Sequence, residues 1–205
     1  MKNNVMAITM VPIDGTLLFH SLVSVLMVMA AAICLGFFFS YIRKFAATHN
    51  PLGANLINYV TFIGVIHHEL SHALLAFLTG AKVTEVKLFR INHKDGRLGY
   101  VSYAPRGNFI MMSIQKVFAS VAPILMGFVS CGLLYMYILP IAEASICGIC
   151  IFYYVFCSII LHMSLSKQDI QVMKGGILVV ILLFTIVFYV LGWDFVAQIQ
   201  TSMGQ

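Results

Sequence analysis

Residues 17–42, 145–165 and 175–193 hold almost no charge, with Lys, Arg, Asp and Glu confined to their flanks. Each stretch is about as long as a helix must be to cross the ~30 Å hydrocarbon core of a bilayer, roughly 20 residues at 1.5 Å apiece. Two more stretches are apolar with few interruptions. Residues 54–79 carry Asn55, Asn58 and a cluster at His67, His68, Glu69 and His72; residues 109–139 carry Gln115, Lys116 and Pro123. Backbone in hydrocarbon must satisfy its own hydrogen bonds, so each stretch reads as helix. The expected fold is an all-α polytopic membrane protein with about five transmembrane helices. The 205 residues leave room for a single integral membrane domain, 1–205, and none for a separate soluble catalytic domain. Composition agrees: 9% of the chain is charged and 61% hydrophobic, against about 25% charged in a soluble domain. So few charges cannot cover a water-facing surface, and so much apolar surface excludes disorder. The first stretch is too long for the apolar core of a cleaved signal peptide, so it reads as a retained span.

Between the second and third spans the pattern changes. Residues 81–106 hold six of the twelve basic residues: Lys82, Lys87, Arg90, Lys94, Arg97 and Arg106. Val83, Glu85 and Lys87 interleave with Thr84, Val86 and Leu88, and His93-Lys94-Asp95-Gly96 supplies turn chemistry before Leu98, Tyr100, Val101 and Tyr103. That pattern predicts a short β-hairpin over about 82–104. Five spans would place the N-terminus, the hairpin and the 166–174 loop on one side. That side would hold nine basic residues, and the other only Arg43 and Lys44. The positive-inside rule then puts the hairpin side in the cytoplasm. The same rule explains the net charge of +5, so nucleic acid is not expected as a partner. The lipid bilayer is.

The five cysteines (Cys34, Cys131, Cys147, Cys150, Cys157) lie in apolar runs and read as small buried hydrophobes. Cys147 and Cys150 form a CxxC, but inside an apolar helix this is weak support for redox or metal chemistry.

His68-Glu69-Leu70-Ser71-His72 is an HExxH. Helix residues i and i+4 stack on one face, so two imidazoles at this spacing can share one Zn²⁺. The Glu beside the first His can reach a metal-activated water as general base. Ionisable groups are costly inside a span and are usually functional there. The plain alternative is a polar cluster hydrogen-bonding between helices. A catalytic zinc needs a third protein ligand. Asp169, at the cytoplasmic break between the fourth and fifth spans, matches the depth of the motif, with His162 as runner-up. His20 lies near the same end of the first span, and Asp14 just before it. Asp194 is expected on the opposite side. His67 points about 100° away from His68. His93 sits in the hairpin turn. Ser166-Lys167-Gln168-Asp169 also reads as a capping box, a role compatible with ligation.

His68-Glu69-Leu70-Ser71-His72-Ala73-Leu74 within a membrane span resembles the site-2 protease family of intramembrane zinc metalloproteases. Other pieces agree in order: Gly80 closing the motif helix, a hairpin with Gly99-Tyr100-Val101 in its second strand, then a span bearing Ala119-Ser120-Val121-Ala122-Pro123. The likeness covers roughly residues 54–176. The family's usual Asp-Gly third-ligand segment, with its Asn-Pro stretch, is replaced by Ser166-x-x-Asp169, as in small relatives. The resemblance implies hydrolysis of a transmembrane protein or peptide substrate. Zn²⁺ would be held by His68, His72 and Asp169, with Glu69 catalytic, in an integral multi-pass protein. The compactness of the chain suggests a bacterial plasma membrane, and the charge asymmetry puts the active-site side in the cytoplasm. The hairpin would either pair with an unwound substrate segment or anchor to anionic lipid. Two rivals remain: a zinc-binding membrane protein without protease activity, and a small metal or proton transporter.

Overall fold

A computed structural model describes residues 14–48, 59–89 and 98–203. They fold as helix α1 (Gly15–Thr48), helix α2 (Phe62–Leu78), strands β1 (Lys82–Lys87) and β2 (Tyr100–Ala104), and helix α3 (Phe109–Leu133). The helix of α3 carries on through a π-helical stretch (Leu134–Ile138) and a closing turn (Leu139–Ala142). Then come α4 (Ile146–His162), α5 (Lys167–Lys174), α6 (Ile177–Val190) and α7 (Phe195–Met203).

The boundaries have local causes. The Asp14 carboxylate accepts the Thr16 and Leu17 amides at 2.9 and 3.2 Å and starts α1. Helix α2 closes at Gly80, whose φ of 89° lets the Ala81 amide turn back to the Ala76 carbonyl. Asn108 caps α3 by accepting the Met111 amide, and Ser145 caps α4 by accepting that of Gly148. Gln115, Lys116 and Pro123 interrupt the apolar pattern of α3 without breaking the helix.

The hairpin forms as two antiparallel strands, with Val83 opposite Tyr103 and Lys87 opposite Tyr100, and a bulge between Val83 and Glu85. Its expected turn, including His93, lies outside the described residues, as do residues 54–58 of the expected second span. Among the described residues, two helices are long and apolar enough to cross a membrane, α1 and the extended α3. The number rises to four if α4 with α5, bent by 53°, and α6 with α7, bent by 65°, are each one span. The 17-residue α2 is at the lower limit of spanning length. Large apolar side chains such as Phe38, Phe77, Met136, Ile151 and Leu182 stand outward, as they do on a surface that faces lipid. All five cysteines are free. Cys34, Cys147, Cys150 and Cys157 are exposed and Cys131 is partly so, which corrects the expectation that they are buried; a thiol is apolar enough to face lipid.

The described chain divides into two compact units. The larger spans residues 29–180. Its apolar core joins Val117 and Val121 of α3 to Met173 of α5 and Val180 of α6, with Met29 and Ile33 of α1 packed against them. A second cluster of small residues, Ala76, Ala81 and Ala119, lets α2, the hairpin and α3 approach closely, with Val83 and Tyr103 against it.

The smaller unit joins the start of α1 to the end of α6 and to α7. There His20 Nδ1 lies 2.8 Å from Asp194 Oδ2, and the Asp14 amide donates to the Tyr189 hydroxyl at 3.1 Å. Trp193 packs against Phe188 and Phe195. The contact corrects the expected placement of Asp194 across the membrane from His20.

Candidate metal centre

The site grows from one helical repeat. His68 and His72, one turn apart on α2, bring their rings to a centroid separation of 4.8 Å. What aims the rings is backbone. His68 Nδ1 lies 2.8 Å from the main-chain oxygen of His162, and His72 Nδ1 lies 2.6 Å from that of Ala119. A carbonyl oxygen can only accept, so both Nδ1 atoms carry the proton, and in a neutral ring the lone pair is on Nε2.

Each acceptor has a physical origin. His162 ends α4, where its carbonyl has no helical amide to bind and accepts the Ser164 amide, at 2.8 Å, as well as the imidazole. Ala119 stands four residues before Pro123, which has no amide hydrogen to return to it. The approach of α4 to α2 depends on Gly64. A Cβ there would collide with the Ser158 carbonyl and stand 2.5 Å from His162 Nδ1. The Gly64 amide donates instead to the Ser158 hydroxyl at 3.2 Å.

The two Nε2 atoms face each other at 3.1 Å. Two lone pairs at that distance repel unless a cation lies between them or one ring takes a second proton. Asp169 completes the set, its Oδ1 3.6 Å from His72 Nε2. One ligand atom from each of His68, His72 and Asp169 lies within 4.8 Å of the others. A tetrahedral ion with bonds of about 2.0–2.2 Å holds its ligands about 3.3–3.6 Å apart, so small movements close this cage around a divalent metal. The donors fit such an ion in type as well: two neutral imidazoles, tautomers fixed by outer partners, and one carboxylate.

Asp169 divides its carboxylate. Oδ2 accepts the Ser166 amide at 2.7 Å, while the Ser166 hydroxyl accepts the Asp169 amide at 3.1 Å. The capping box starts α5, and Oδ1 is left for the ligand cluster. Capping and ligation coexist because the carboxylate has two oxygens. Tyr103 lies within the field of this carboxylate: burial, then the Asp169 charge, push its hydroxyl up to about 12.

The other candidate ligands go elsewhere. His162 contributes its carbonyl, and its ring Nδ1 lies 3.0 Å from the Ser158 carbonyl oxygen. His67 turns away to the Ser130 hydroxyl, 2.9 Å from Nε2. Asp14 caps α1, and His20 pairs with Asp194. Glu69, partly buried, sends its side chain toward the start of β2, where a Cβ on Gly99 would stand 2.7 Å from its Cγ.

Sequence reasoning missed one residue that holds this region together. Gln115 is 1% exposed. Its amide nitrogen donates to the carbonyls of Thr79 and Arg106 at 3.1 and 3.0 Å, and its oxygen accepts the Arg106 amide at 2.7 Å. It thereby ties the end of α2 to the exit of the hairpin. A lone amide in an apolar helix was the available signal. No family model, curated protein or solved structure matches the chain.

Proposed function

We propose that the chain is an intramembrane zinc metalloprotease of the site-2 protease kind. The observation that supports this best is the convergence of His68 Nε2, His72 Nε2 and Asp169 Oδ1 beside Glu69, with both Nδ1 protons given to main-chain carbonyls. A purely structural site does not need the motif's glutamate.

In this reading His68, His72 and Asp169 hold the ion. When bound, zinc supplies Lewis acidity that brings a water's pKa toward 7 and polarises a carbonyl. Glu69 takes the proton of the attacking water and returns it to the leaving amine. The His162 and Ala119 carbonyls keep both imidazoles in the ligating tautomer throughout. The substrate is a transmembrane protein or peptide, and an unwound segment of it would pair along an edge of the hairpin.

The membrane we infer is a bacterial plasma membrane, with the hairpin and the centre toward the cytoplasm. The charge asymmetry supports this side. No Lys or Arg follows Lys174, so the corrected position of Asp194 leaves the nine-to-two count unchanged.

The test is cleavage of a model single-span substrate by purified protein beside Glu69→Gln, with metal analysis of both. The proposal expects one zinc per chain in each and hydrolysis only with Glu69. Equal cleavage by both, or by neither, sinks it. Zinc without cleavage would favour a non-proteolytic zinc protein.

A further inference from the structure

The hairpin meets the centre on one face. Residues 99, 101 and 103 alternate onto the same side of an extended strand. Tyr103 packs on that side against Ala76, Ala81 and Ala119, the small residues that join α2 to α3. Gly99, which leads into β2, meets α2 at Glu69. A Cβ on Gly99 would lie 2.7 Å from Glu69 Cγ and 2.9 Å from both the Lys87 and Leu88 carbonyl oxygens. The glutamate stem therefore lies in a notch floored by the bare Cα of Gly99 and walled by the end of β1.

We propose that Gly99 is a positioning residue for Glu69, its missing side chain leaving the notch that fixes where the carboxylate points. The inference rests on the proteolytic reading for its consequence, though not for the contact itself. Glu69 has several rotatable bonds and must hold its carboxylate within hydrogen-bond reach of the water it deprotonates. A wall of backbone removes rotamers that would carry it away. A methyl group in the notch pushes the carboxylate out while leaving His68, His72 and Asp169 where they are.

Two measurements test this. In the first, Gly99→Ala in the full-length protein is assayed for kcat, KM and zinc content. Gly132→Ala, where a Cβ meets nothing within 4 Å, serves as the control that leaves activity unchanged. The expected result is a kcat loss of roughly 10- to 100-fold, with KM and zinc content unchanged, because a misplacement of about 1 Å is worth about 10²-fold. A kcat within about twofold of wild type, or a loss matched by loss of zinc, overturns the proposal.

The second measurement needs no hydrolysis. The melting cost of Gly99→Ala is compared in the wild-type and Glu69→Ala backgrounds, as a double-mutant cycle. The cost should fall by more than half once the glutamate stem is gone. Folding of the variant only in the Glu69→Ala background supports the proposal equally. Equal cost in both, or folding in neither, assigns the crowding to the Lys87 and Leu88 carbonyls and overturns the proposal. Coupling in the melts with no cleavage by wild type would leave the contact standing and remove the protease reading alone.

Discussion

The Ala119 carbonyl, one turn before Pro123, takes the Nδ1 proton of His72 at 2.6 Å. A proline that would otherwise only weaken a membrane helix here supplies an acceptor with no competing amide. Pro123→Ala gives that carbonyl a helical partner. We expect metal affinity to fall about 10-fold, the lower end for loss of an outer partner, without loss of thermal stability. Titration of the metal-free protein beside a melting curve checks both halves; unchanged affinity would detach Pro123 from the centre.

Asp169 and Ser166 should separate ligation from capping. Asp169→Asn removes the charged ligand and is expected to weaken metal binding roughly 100-fold or more. Ser166→Ala removes one bond of the capping box, costs about 1 kcal/mol, and leaves the carboxylate charge in place. Melting each variant with and without added zinc distinguishes them. The metal-dependent rise in melting temperature should vanish in Asp169→Asn and persist in Ser166→Ala.

Gln115 satisfies three backbone groups at once. Gln115→Leu keeps the volume and strands the Arg106 amide and the Thr79 and Arg106 carbonyls in a part-buried place. A fully buried group left without a partner costs about 1–3 kcal/mol, so these three part-buried ones together should cost about as much as one of those. Chemical denaturation in detergent measures it; a loss below about 1 kcal/mol would mean that water replaces the amide.

The Tyr103 hydroxyl titrates at about 12 in the folded chain and near 10 when unfolded. The folded state holds this proton more tightly, so its contribution to stability is complete below pH 10 and is lost as pH rises toward 12. Tyr103→Phe should flatten the fall of stability over that range. A melting series at alkaline pH with unchanged slope would contradict the burial of the Tyr103 hydroxyl, the larger cause, together with the lesser one, the Asp169 charge.

The parts of this molecule that were legible in the sequence are those fixed by spacing along one element. His68 and His72 meet because a helix repeats every 3.6 residues, and Ser166 and Asp169 pair because a capping box is local. The carbonyls of His162 and Ala119 were not legible as ligand-orienting groups, since every residue has a carbonyl and only its neighbours decide whether it is free. Pro123 and the end of α4 were the traces they left. The partnership of His20 and Asp194 was hidden for another reason: it joins residues far apart in the chain, and an apolar run such as α6 does not state whether it crosses fully. Gln115 interrupted a pattern, but only the fold shows what it ties.

The two oxygens of Asp169 carry a thermodynamic consequence. One closes the first turn of α5, and the other faces His72. If an ion is held there, winding of that turn and its capture are two faces of a single equilibrium, each raising the other by the same free energy. The backbone at residues 166–169 becomes a gauge of occupancy: its amide protons exchange more slowly in proportion to how firmly the ion is held.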